Sequence, residues 1–143
     1  MKTLLLTTAL LIPVAAFAAD GQPGSHFIKN WDLDANGAVT LAELTEKRGD
    51  VFYTFDSDDD GMLTAEEYSY FDDARKVDMQ NNAERSGGKM GKVQKGMTLE
   101  YNDTDGDGSV SRNEFLANTT DWLAIIDQDG SGDVTFADFG PRT

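Results

Sequence analysis

The chain has 143 residues, with 26 acidic against 12 basic side chains and a formal net charge of −14. That excess repels nucleic acid and resists compaction until cations neutralise it. Yet 39% of the residues are hydrophobic and 10% aromatic, too many for a disordered acidic tail, and the lack of any cysteine excludes a disulfide framework and a thiolate metal site.

The first stretch, MKTLLLTTALLIPVAAFAAD, has Lys2, then an uncharged run from Thr3 to Ala19. It closes on Ala16-Phe17-Ala18, small residues at the −3 and −1 positions of a cleavage site after Ala18. This is the pattern of a secretory signal peptide. A membrane anchor is the competing reading, but 17 uncharged residues interrupted by Thr7, Thr8 and Pro13 make a poor span. The expected product is exported, processed after Ala18, free of a transmembrane segment, and periplasmic or secreted.

Further along, a helical segment carrying Ile28 and Trp31 leads into DLDANGAVTLAE (32–43). Leu44 follows, Gly49 suggests a helix break, and Phe52 and Phe55 precede DSDDDGMLTAEE (56–67). Tyr68 and Phe71 then lie in a predicted helix from Glu66 to roughly Glu84, and SGGKMGKVQKG (86–96) reads as a flexible linker solvated by Lys89, Lys92 and Lys95. Before DTDGDGSVSRNE (103–114) come Met97, Leu99 and Tyr101, but Asn102 occupies a position where the other segments have an apolar residue. Phe115 and Leu116, then Leu123 and Ile126, lead to DQDGSGDVTFAD (127–138), and Phe139 is followed at once by Gly140-Pro141, which stops a helix.

The four quoted twelve-residue stretches are an internal repeat, with starts spaced by 24, 47 and 24 residues. Each has acids at positions 1, 3 and 12, glycine at 6 and an aliphatic at 8. The first three satisfy D-x-[DN]-x-[DN]-G-x5-E at every specified position. Clustered carboxylates repel one another, so the pattern is favourable only around a cation. Calcium takes six to eight oxygens in flexible geometry, and a backbone wrapped by a glycine turn brings alternate side chains to one point.

On these motifs the sequence resembles the EF-hand family, with a bilobed layout similar to calmodulin-like proteins. The resemblance implies an all-α fold: two pairs of helix-loop-helix calcium-binding motifs with short β bridges between paired loops. It divides the chain into the signal peptide (1–18), a first pair (19–84), the basic linker (85–96) and a second pair (97–143). Loop 1 would offer Asp32, Asp34, Asn36, the Ala38 carbonyl and Glu43, with Thr40 at the water position. Loop 2 would offer Asp56, Asp58, Asp60, the Met62 carbonyl and Glu67, with Thr64. Loop 3 would offer Asp103, Asp105, Asp107, the Ser109 carbonyl and Glu114, with Ser111. Loop 4 would offer Asp127, Asp129, Ser131, the Asp133 carbonyl and Asp138, with Thr135. Up to four calcium ions are thereby implied. Loop 4, with a neutral fifth residue and an aspartate one methylene short of glutamate at the twelfth, is expected to bind most weakly and to discriminate least against magnesium. The eighth residues Val39, Leu63, Val110 and Val134 would bridge loop 1 to loop 2 and loop 3 to loop 4.

The function expected is calcium binding by an exported protein: buffering, storage or structural stabilisation. The alternatives are a calcium sensor and a dockerin-like module, each taking a protein partner when loaded. Apart from the initiator, the methionines (Met62, Met79, Met90 and Met97) fall mainly near the linker and form no obvious adaptable groove. An enzyme is not expected. His26 is the sole histidine, beside Ser25, and the pair reads as a loop or helix cap.

Overall fold

A computed structural model describes residues 21–82 and 90–141. Residues 1–20, with the signal segment, residues 83–89, with the end of the predicted helix and the linker from 85 to 89, and residues 142–143 lie outside the described residues. The fold is helical with one small antiparallel sheet. No helix among the described residues is long and apolar enough to cross a membrane.

Helix α1 (Ser25–Trp31) buries Phe27 and Ile28 and ends at loop 1. Helix α2 (Leu41–Phe55) begins at a capping box, in which the Thr40 side chain takes the Glu43 amide and the Glu43 side chain takes the Thr40 amide. Leu44, Arg48 and Phe52, four residues apart, form its buried stripe. The helix runs through Gly49 without the expected break. A Cβ at Gly49 would meet nothing nearer than Arg112 Nη2 at 3.8 Å, so no close approach demands glycine, and the flanking stripe keeps the helix continuous.

This continuity corrects the loop pairing. Loops 1 and 2 sit at opposite ends of a fifteen-residue helix, separated by roughly 22 Å, and cannot bridge. Strand β1 (Met62–Leu63) of loop 2 instead pairs antiparallel with β2 (Val110–Ser111) of loop 3, in the register Met62 to Ser111 and Leu63 to Val110. Val39 of loop 1 bridges Val134 of loop 4. All four eighth-position residues are fully buried.

Helices α3 (Ala65–Asn81), α4 (Met90–Lys95), α5 (Leu99–Asn102), α6 (Arg112–Ala117) and α7 (Thr119–Ile126) follow, with a closing 3-10 turn at Phe136–Asp138. Helices α6 and α7 are separated only by Asn118, which keeps near-helical angles. They run from loop 3 to loop 4 much as α2 runs from loop 1 to loop 2, and α2 packs on both. With loops 2 and 3 bridged at one end and loops 1 and 4 at the other, the two rods are antiparallel.

The chain therefore does not divide into two lobes at the linker. One hydrophobic cluster takes residues from both halves, among them Phe27, Phe52, Phe71, Phe115, Trp122 and Ile126. The expectation of a flexible linker also fails for residues 90–96. Met90 and Val93 of α4 are buried, and the Val93 carbonyl accepts from Trp122 Nε1 at 3.0 Å. Gly96 lies against the same indole, so closely that an added Cβ would fall 1.8 Å from Trp122 Cδ1. Lys92 and Lys95 remain exposed.

The Ser25–His26 pair is not a cap. The α1 N-cap is Gly24, with no side-chain capping bond. His26 Nε2 lies 2.7 Å from Asp78 Oδ2, tying α1 to the far half of α3.

Candidate metal centres

Each repeat folds into the same loop. The first aspartate receives the amides of the fifth and sixth residues on its two carboxylate oxygens. Asp32 takes Asn36 and Gly37 at 3.2 and 2.8 Å, and Asp56 takes Asp60 and Gly61 at 3.2 and 2.9 Å. Asp103 takes Asp107 and Gly108 at 3.1 and 3.0 Å, and Asp127 takes Ser131 and Gly132 at 3.1 and 2.8 Å. The wrap needs left-handed backbone at the sixth position, where Gly37, Gly61, Gly108 and Gly132 have φ of 90, 82, 88 and 95°.

The twelfth carboxylate closes the loop. Glu43 takes the Leu33 amide on one oxygen at 2.8 Å and the Thr40 amide on the other at 2.9 Å. Glu67 does the same with Ser57 and Thr64, and Glu114 with Thr104 and Ser111. These bonds favour the charged form, and those from the ninth-position amides contribute most: Glu43 is lowered, while Glu67 and Glu114 are brought down to about 2.

Asp138 makes the same closure with a shorter arm, from Gln128 at 2.7 Å to Thr135 at 2.8 Å. Its exit element is the tight 3-10 turn rather than an α-helix, and the carboxylate is fully buried.

The outcome is four groups of carboxylates in which one oxygen from each member lies within 4.8 Å of the others: Asp32, Asp34 and Glu43; Asp56, Asp58 and Glu67; Asp103, Asp105 and Glu114; Asp127, Asp129 and Asp138. In each, the third-position aspartate is exposed, leaving the cluster open to solvent. Asp60 and Asp107, fifth in their loops, stand outside these groups and accept the amides of Met62 and Ser109 at 2.8 Å. Asn36 treats the Ala38 amide likewise. Loop 4 differs: Ser131 Oγ donates to the Asp133 carbonyl at 3.0 Å, so both of those candidate ligands face each other.

The crowding has an electrostatic signature. Desolvation raises Asp58, and the charges of Asp60, Glu67 and Asp56 add to it. The bond from Asp107 favours charged Asp105, but desolvation and the charges of Asp107, Glu114 and Asp103 raise it on balance. Asp129 of loop 4, with serine as its neighbour at the fifth position, is lowered by the Ser131 hydroxyl and amide.

Two contributions were absent from the sequence reading. The ninth residues Thr40, Thr64, Ser111 and Thr135 are N-caps of the exit elements, each within a capping box. The spacing S/T-x-x-E/D carries that signal. The second residues Ser57 and Thr104 add hydroxyl bonds to the closing glutamates at 2.7 and 3.0 Å, and no fixed residue type at that position marks it.

Comparison with known families now bears on these loops. A family model for the EF hand matches residues 49–70 and 99–117, segments that hold the whole of loops 2 and 3. The segments that carry loops 2 and 3 are thus similar to EF hands. The two matched EF-hand segments are the ones that β1 and β2 join, so the match falls on one structural pair. EF-hand domains indicate calcium binding. No curated protein matches the chain.

Proposed function

We propose that this protein binds calcium in all four loops and acts by holding the ions, as a buffer, a store or a chain stabilised by them. The observation that carries the reading is the convergence of three carboxylates in each of four loops. The donor set is all oxygen, with neither histidine nor cysteine in any cluster, which suits a hard cation of variable coordination. Asp32, Asp34 and Glu43, and their counterparts in the other loops, would hold the ion with the fifth side chains and seventh carbonyls. The charge on the chain supports the same reading, since cations offset the repulsion that compaction imposes on it.

The role is non-enzymatic. His26 is engaged by Asp78 and Asn30, and buried Ser25 Oγ has no hydrogen-bond partner among the described residues. Among the described residues no serine hydroxyl is hydrogen-bonded to the histidine ring, as nucleophile activation would require. The opening eighteen residues support export to the periplasm or beyond the cell.

Calcium calorimetry with parallel circular dichroism tests the reading. Uptake of up to four ions, with tighter folding than in chelator, is the expected result. A protein that takes up none at millimolar calcium and unfolds identically in chelator sinks it.

A further inference from the structure

Loop 3 has the shortest entering helix. Helix α5 is four residues long, capped by the Thr98 side chain, and one turn does not sustain itself. Its last residue, Asn102, is fully buried and directly precedes Asp103. The Asn102 amide group donates to the carbonyls of Thr98 and Gly96 at 2.9 and 3.1 Å and to the Tyr68 hydroxyl at 3.1 Å. Its oxygen accepts from Arg48 Nη2 at 2.7 Å.

Arg48 also reaches the other end of the loop. Phe115 directly follows Glu114 and lies in the last turn of α6, where carbonyls lack intrahelical partners. Its carbonyl accepts from Arg48 Nε at 3.1 Å and Nη2 at 2.7 Å. The guanidinium sits 4.0 Å from the centre of the Phe115 ring. Through Asn102 it connects to Tyr68, the residue after Glu67 of loop 2. Arg48 is fully buried and has no ion pair among the described residues. A buried cation costs several kcal/mol, and well-packed apolar residues commonly serve stability as well or better, so this one is retained for what its fork of donors holds.

We propose that Arg48 is a positioning residue for ion binding at loop 3. Its planar guanidinium fixes Asn102 and Phe115 together, and thereby the separation of Asp103 and Glu114 at which an ion is held. Lysine cannot reproduce this, having one point of attachment instead of a rigid fork. The proposal rests on the calcium reading above and adds to it a residue outside every loop.

The test is a calcium titration of the full-length protein followed by the amide NMR signals of Gly37, Gly61, Gly108 and Gly132. Each donates to the first carboxylate of its own loop, at 2.8, 2.9, 3.0 and 2.8 Å, and so reports one site. Arg48→Met should weaken the Gly108 site about ten-fold or more, with Gly37 and Gly132 changing by less than about two-fold. Arg48→Lys should not restore it. In chelator, hydrogen exchange at the Asp103 amide, bonded to the Leu99 carbonyl at 2.8 Å, should accelerate in Arg48→Met. An unchanged Gly108 site, or an equal loss at all four, overturns the proposal. Should Arg48→Met not fold, the Arg48 Nε–H signal of the unaltered protein decides: it should move with the Gly108 midpoint, and a stationary signal overturns the proposal. An unaltered protein silent to calcium at Gly108 sinks the calcium reading of that loop and this proposal with it, whereas a responsive protein with an indifferent Arg48→Met variant sinks this proposal alone.

Discussion

Val39 and Val134 exchange backbone hydrogen bonds of 2.8 and 2.9 Å, joining the first loop to the fourth. At the opposite end of the molecule Leu63 faces Val110, joining the second loop to the third. Helix α2 is thus the exit helix of one pair and the entry helix of the other. One pair joins the second and third hands, the other the first and last, and the two share one core.

Coupling between ions should follow the bridges. Glu43→Gln removes charge from the closing residue of loop 1, and the expected outcome is a weaker loop 4 as well, by about five-fold or more, with loops 2 and 3 little affected. Glu67→Gln should weaken loop 3 in the same way. The amides of Gly37, Gly61, Gly108 and Gly132 follow each site separately in one titration. If Glu43→Gln weakened loop 2 and spared loop 4, the bridges would not be the route of coupling.

The loops were legible because the constraints on them are local: acid spacing, the glycine turn and the twelfth carboxylate all lie within twelve residues. The entering helices were legible where the apolar spacing was regular, as at Phe52 and Phe55. Pairing was not, because it depends on whether α2 bends at Gly49, which is decided by packing against α6 and α7 and not by the glycine itself. Asn102 looked like a defect in the helix before loop 3. Its partner Arg48 lies 54 residues away, beyond the reach of periodicity. The linker misled for a related reason: Gly96 signals flexibility in a sequence, while here it is required by the approach of the Trp122 ring.

Gly96→Ala should be severely destabilising, because the new methyl would have to displace a fully buried indole. An overpacking cost of about 3 kcal/mol is expected in chemical denaturation followed by tryptophan fluorescence. Gly91→Ala, inside α4 with nothing within 4 Å of the added Cβ, should instead gain about 0.5 kcal/mol. Equal effects from the two would show that α4 does not dock on Trp122.

Ala35 carries a left-handed backbone, φ 59°, at the fourth position of loop 1, where loops 3 and 4 have Gly106 and Gly130 with φ of 73 and 72°. A left-handed alanine costs about 1–2 kcal/mol, partly offset by the lower unfolded-state entropy it confers relative to glycine. Ala35→Gly should therefore stabilise the ion-free protein by about 0.5 kcal/mol. Thermal unfolding in chelator measures this, and a lowered midpoint would show that the loop relaxes around the alanine.

Stability should fall at both extremes of pH for separate reasons. Glu67 and Glu114 hold values of about 2 in the fold against an ordinary 4.5, so each stabilises the folded state above pH 4.5 and loses that contribution as pH drops toward 2. Raised Asp58 and Asp105 act in the opposite sense: their protonation relieves the clusters, so ion-free stability should first rise on mild acidification and then fall. On the alkaline side, burial pushes the Tyr68 phenol from 10.0 to about 12, and its hydroxyl donates to the Met97 carbonyl at 2.7 Å. The neutral phenol is therefore favoured by the fold. Its contribution is complete below pH 10 and is lost as pH climbs toward 12. Tyr68→Phe should flatten that part of the alkaline decline while leaving the acid limb unchanged, as read by denaturant unfolding across pH in chelator. An alkaline decline identical in Tyr68→Phe would assign it to other groups.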